Sequence, residues 1–89
     1  MLATVSVTDW NTESTTILSE KVTEIMESMG VTGIWTLQNT QLGMILTREQ
    51  SCSIVINNDG GELYNNGDSI VIKRTAHRLD TLRTLLAAW

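Results

Sequence analysis

Apolar and turn-forming residues alternate from Ile34 to Ile72 in a way that predicts an antiparallel meander. Four apolar runs stand out: Ile34-Trp35-Thr36-Leu37, Leu42-Gly43-Met44-Ile45-Leu46, Cys52-Ser53-Ile54-Val55-Ile56 and Ser69-Ile70-Val71-Ile72. Each is too short for a good helix and rich in bulky or β-branched residues, which suit a pleated strand. Between them lie Asn39-Thr40-Gln41, Arg48-Glu49-Gln50-Ser51 and the long segment from Asn57 to Asp68. In that last segment Asn58-Asp59-Gly60-Gly61 and Asn65-Asn66-Gly67-Asp68 read as hairpin turns. Only a very short strand, Glu62-Leu63-Tyr64, fits between them.

Before the meander, Ala3 to Thr8 alternates apolar Val5 and Val7 with polar neighbours, the period of a half-buried strand. A helix follows over Ser14 to Met29. Leu18, Val22, Ile25, Met26 and Met29 form one stripe, and Glu20, Lys21, Glu24 and Glu27 lie opposite. Gly30 stands where a helix C-terminus needs a positive φ. After the meander a second helix is expected over Ala76 to Ala88, capped by Thr75, with Leu79, Leu82, Leu86 and Trp89 as its stripe. The expected fold is α+β: a single domain over residues 1–89, with a meander sheet of about five strands and two amphipathic helices. The element order is β-α-β-β-β-(β)-β-α, and both helices are expected on one sheet face.

That arrangement leaves the other face uncovered. It should display some of Trp35, Leu37, Ile45, Val55 and Val71, although the pattern does not decide which parity faces out. An apolar face of that size in water asks for a partner, which makes a homodimer the expectation, paired through sheet faces or an exposed edge strand. Trp10 and Tyr64 fall in predicted turns, where an aromatic is either a lid over the core or a binding anchor. With Ile45, Val55 and Val71 they form the candidate protein interface.

Composition narrows the class. The chain has 89 residues, 42% hydrophobic and 18% charged, too apolar for disorder. Thr fills about one position in seven. A domain of this length buries roughly 60–65% of its unfolded surface, which is a thin margin. The net charge of −4 argues against contact with a nucleic-acid backbone, which needs Lys and Arg to displace counterions. No run reaches the ~18 apolar residues of a membrane span, and no export signal is evident. A lone cysteine, Cys52, excludes an internal disulfide and suits a reducing cytoplasm.

Candidate chemistry is sparse. Cys52, His77 and Asp80 include a nucleophile, a base and an orienting acid, but His77 is expected on the helix side away from the sheet. Asp59, Glu62 and Asp68 lack the spacing of a calcium loop, and one Cys with one His cannot build a zinc site. Gly30-Val31-Thr32-Gly33 has no lysine for a phosphate loop. No catalytic, metal or cofactor residues are therefore assigned.

From Ile17 onward the order resembles roadblock-type domains, in which a helix leads through Gly-Val-x-Gly into a hairpin and the chain ends in a hairpin and helix. The matching stretches are Gly30-Val31-Thr32-Gly33 and Gly67-Asp68-Ser69-Ile70-Val71-Ile72 before the last helix. The chain departs from that pattern in two ways: Arg48 to Cys52 leaves no room for the family's middle helix, and a strand precedes the first helix. The resemblance implies a homodimeric scaffold subunit. Small acidic secretion chaperones and the small inhibitors that phages make against host machinery are similar in fold class alone. The expected function is a non-enzymatic protein-binding module, for instance a phage-type inhibitor of a host protein complex. The alternative is a roadblock-like or chaperone-like scaffold, and an enzyme dependent on Cys52 and His77 is a remote third.

Overall fold

A computed structural model describes residues 3–7, 12–40, 43–49 and 51–89. The chain is α+β, with a six-stranded, mostly antiparallel sheet and two helices. The elements are β1 (Ala3–Val7), α1 (Thr12–Ser28), β2 (Gly33–Asn39), β3 (Met44–Arg48), β4 (Cys52–Asn57), β5 (Gly60–Asn65), β6 (Asp68–Lys73) and α2 (Arg78–Ala88). The strands lie in chain order across the sheet, with β1 and β6 at its edges.

Two features differ from the expectation. The sheet has six strands, and β1 runs parallel to β2, Val5 beside Trp35, because α1 carries the chain back before β2 begins. The sixth strand is β5, six residues long where a very short one was expected. Gly60 and Gly61 look like turn residues but belong to this strand. Gly60 has φ +138, and a β-carbon there would collide with the Ile72 carbonyl, so it is a glycine forced by close strand packing. Gly61 is the seat of α2, argued below.

Register places alternate residues on one side of the sheet. Leu37 lies opposite Leu46, Leu46 opposite Ile54, Ile54 opposite Leu63 and Leu63 opposite Ile70. These residues join Trp35, Met44, Ile56, the α1 residues Val22, Ile25 and Met26 and the α2 residues Leu79, Leu82, Leu85 and Leu86 in one core cluster. Both helices thus cover the same sheet face. Trp35 and Leu37, two of the residues offered for the open face, are fully buried. A strand period of two sends them inward together with Met44 and Leu46 and sends Ile34, Ile45 and Val55 outward.

α1 ends as its sequence demands. The Val31 amide donates to the Met26 carbonyl at 2.9 Å and the Gly30 amide to the Glu27 carbonyl at 3.2 Å. With Gly30 at φ +73, this is the Schellman arrangement, and Val31 is buried beneath it. α2 starts later than expected, and its cap is His77, not Thr75. The His77 Nδ1 accepts from the Leu79 amide at 3.2 Å. Residues Arg74 to Ala76 continue alongside the β4–β5 turn, the Arg74 amide donating to the Asp59 carbonyl and the Ala76 amide to Asn58. Those bonds hold Thr75 out of the helix.

α2 lies across β4, β5 and β6. A β-carbon on Gly61 would sit 3.0 Å from Leu85 and 3.1 Å from both Ile56 and Thr81, so the bare backbone of β5 lets the helix settle on the sheet. At the far end of α2, Arg48 lies between two tryptophans. Its guanidinium carbon is 5.1 Å from the ring centres of both Trp35 and Trp89, and its Nη1 donates to the Thr32 carbonyl at 2.9 Å. The two rings meet edge to face, with centroids 6.3 Å apart. Trp89 stays 40% exposed, so its stripe position gives it an edge contact and not a place in the core.

Candidate functional site

The sheet face away from the helices carries the candidate site. The same alternation that builds the core sends Ile34, Thr36 and Gln38 of β2, Ile45 and Thr47 of β3, and Ser53 and Val55 of β4 to this side. Glu62 and Tyr64 of β5 and Ser69, Val71 and Lys73 of β6 follow. Backbone pairing aligns Gln38, Ile45, Val55, Glu62 and Val71 in one row across five strands. A second row of Thr36, Thr47, Ser53, Tyr64 and Ser69 runs beside it and is mostly hydroxyl-bearing.

Four of the five interface candidates therefore meet on one surface. Val71 is 50% exposed, Tyr64 43% and Val55 39%, while Ile45 is half-buried among its neighbours. The fifth, Trp10, lies outside the described residues. Ile34, 67% exposed on the same face, was missed. Its neighbour Trp35 is the larger apolar residue and drew attention away from it; the parity of β2, once known, points Ile34 outward.

Electrostatically this face is nearly neutral. Glu62 and Lys73 are its charged side chains among the described residues. The Tyr64 hydroxyl donates to the Glu62 carboxylate, which ties the aromatic down along its own strand. Gly60 leaves a shallow depression walled by Val55, Asn57, Glu62, Val71 and Lys73. An apolar side chain from another molecule fits such a dent, with one acid and one base at its rim.

The structure separates the residues considered for catalysis. Cys52 is buried at the start of β4, beside Arg48 and Asn65. His77 caps α2 next to the turn after Asn57, at the other end of β4. Five residue steps of extended chain put these ends about 17 Å apart. Asp80 is bound to Arg83 at 3.1 Å on the exposed side of α2. Burial pushes the Cys52 thiol up; the pull of Arg48 downward and the push of Glu49 upward are smaller. The thiol is thus held in its less nucleophilic form. Among the described residues no cluster of three His, Cys, Asp or Glu side chains could hold a metal ion. No described helix is long and apolar enough to cross a membrane.

A groove between α1 and α2, lined by Lys21, Glu24, Ile25, Ser28, Leu79 and Arg83, is open and mixed in charge. It offers no convergent donor set. No protein-family model, curated protein or solved structure matches this chain.

Proposed function

We propose that this chain is a non-enzymatic protein-binding module that engages a partner protein through the helix-free face of its sheet. One observation carries the reading: the row of Ile45, Val55 and Val71, with Tyr64 beside it, stays exposed although the same strands bury their other side completely. Surfaces of this kind, apolar at the centre with polar residues around, are what protein interfaces are made of. Near-neutrality of the face favours a protein over a nucleic-acid backbone. An inhibitor that occludes another protein's surface and a scaffold subunit are both versions of this reading, and genomic neighbours separate them.

A photo-crosslinking pair tests it in the cells that make the protein. A crosslinker at Val55 should yield a discrete protein adduct, one at exposed Glu20 on α1 should not, and Ile45→Lys should abolish the first. Equal labelling from both positions, or none from Val55, overturns the proposal. Joint replacement of Cys52, His77 and Asp80 tests the enzymatic alternative. Loss of biological activity with native circular dichroism would replace the binding module by an enzyme.

A further inference from the structure

The edge strand β6 is a second interaction surface, distinct from the open face and independent of the reading above. Asn66 and Gly67, at φ +51 and +90, form a two-residue turn between Asn65 and Asp68. The pair closing such a hairpin exchanges both backbone bonds, and bonded pairs then alternate along the ladder. Leu63 with Ile70 and Gly61 with Ile72 follow as bonded pairs. The Arg74 amide, donating to the Asp59 carbonyl at 3.0 Å, continues the same alternation. Ser69, Val71 and Lys73 are left with their N–H and C=O groups pointing away from the sheet.

Nothing within the described chain covers that edge. The strand has no proline and no bulge, and Val71 is 50% exposed. Ile70 and Ile72, on the helix side, are only half-buried, because β6 is the last strand of the layer that α2 covers. Edges of this type are normally blunted.

We infer that β6 pairs antiparallel with β6 of a second copy of this chain, about a twofold axis through Val71. That register sets Val71 opposite Val71 of the second copy and Ser69 opposite its Lys73, so every outward residue meets an outward residue. Moving the axis by one position puts Ser69 or Lys73 opposite a residue outside the strand. The same register sets Asp68 opposite Arg74, twice by symmetry, and places no like charges face to face. On the helix side Ile70 meets Ile72 of the second copy, which extends the core layer across the junction. The self-complementary charge order along one strand is what selects a second copy over an unrelated strand as the occupant. The product is one continuous sheet with the two open faces side by side.

Sedimentation velocity over micromolar to tens of micromolar concentrations should show a concentration-dependent dimer. Val71→Pro removes an outward N–H that the fold does not use and should give monomers. Asp68→Arg and Arg74→Asp should each weaken the dimer about tenfold or more through facing like charges, and the double variant should restore it. Hydrogen exchange on the unaltered chain needs no variant to fold: the amides of Ser69, Val71 and Lys73 should gain protection as concentration rises. A single monomeric species throughout, or edge amides whose exchange ignores concentration, overturns the proposal. So does a dimer that survives Val71→Pro and both charge reversals but dissociates with Val55→Lys, because that outcome marks pairing through the open face.

Discussion

The two faces of this sheet are made from the same strands and are similarly apolar, yet they do different things. In β4, Ile54 and Ile56 are fully buried, while Val55 between them is more than one-third exposed. In β6, Ile70 and Ile72 face α2 and Val71 faces water. The difference lies not in the residues but in the cover. Two helices occupy one side, and the rest of the described chain offers nothing for the other. An apolar side chain strengthens the fold only where something packs on it; where nothing does, it is available to another molecule.

The largest test of this contrast compares neighbours in one strand. Ile54→Ala should cost about 3–4 kcal/mol, since it empties space in a closed core. Val55→Ala should cost less than about 1 kcal/mol, as a change on an exposed strand position. Urea melts of both variants give the two values. Equal losses would mean that the open face is covered after all, and that the contrast between the faces is false.

The contact under α2 sharpens the same comparison from the covered side. Gly61→Ala adds a methyl where Leu85, Ile56 and Thr81 leave 3.0–3.1 Å. It should destabilise by about 1–3 kcal/mol through overpacking. A thermal melt showing no loss would indicate that α2 rides higher on the sheet. Beside it, the fully buried Thr81 hydroxyl has no hydrogen-bond partner. Thr81→Val keeps the shape and removes that polar group, so it should stabilise by about 1 kcal/mol. A destabilised variant would reveal a partner for the hydroxyl.

Cys52 provides the smallest effect. Its folded-state pKa is raised above the ordinary 9.0 by burial. The unfolded chain therefore releases the thiol proton first, and the stability tied to the neutral thiol is full below that value. It declines as pH rises through the ordinary pKa toward the folded one. Urea melts at pH 8 and pH 10 should show a smaller alkaline loss for Cys52→Ala than for the unaltered chain. An identical loss would mean that the covered face does not hold the thiol in its neutral form.

Much of this was readable from residue order. The alternation in Ser53 to Ile56 and in Ile70 to Ile72 places strands without any fold in hand. Gly30 after a stripe of Val22, Ile25, Met26 and Met29 marks a helix end. Other residues carry two meanings that local order does not separate. Gly60-Gly61 has the composition of a turn, but its glycines answer to Ile72 across the ladder and to Leu85 above it. Thr75 is as good a cap as His77 until the bonds from Arg74 and Ala76 to the β4–β5 turn hold it elsewhere. The interface candidates Ile45, Val55 and Val71 were legible as a set because they share a parity. Trp35 and Leu37 belonged to the opposite set, and no pattern within β2 could say so.

Residue order by itself determined the strand and helix periods, the α1 terminus, the hairpin at Asn66-Gly67 and the absence of a convergent catalytic set in the sequence. These depend on backbone preferences and on spacing within a few residues. Tertiary structure alone decided which parity of the sheet is covered, that β1 runs parallel to β2, and that Cys52 and His77 stand at opposite ends of β4. The physical reason is that a strand has two equivalent faces and two edges. Which of them is buried depends on where α1 and α2, distant in sequence, come to rest.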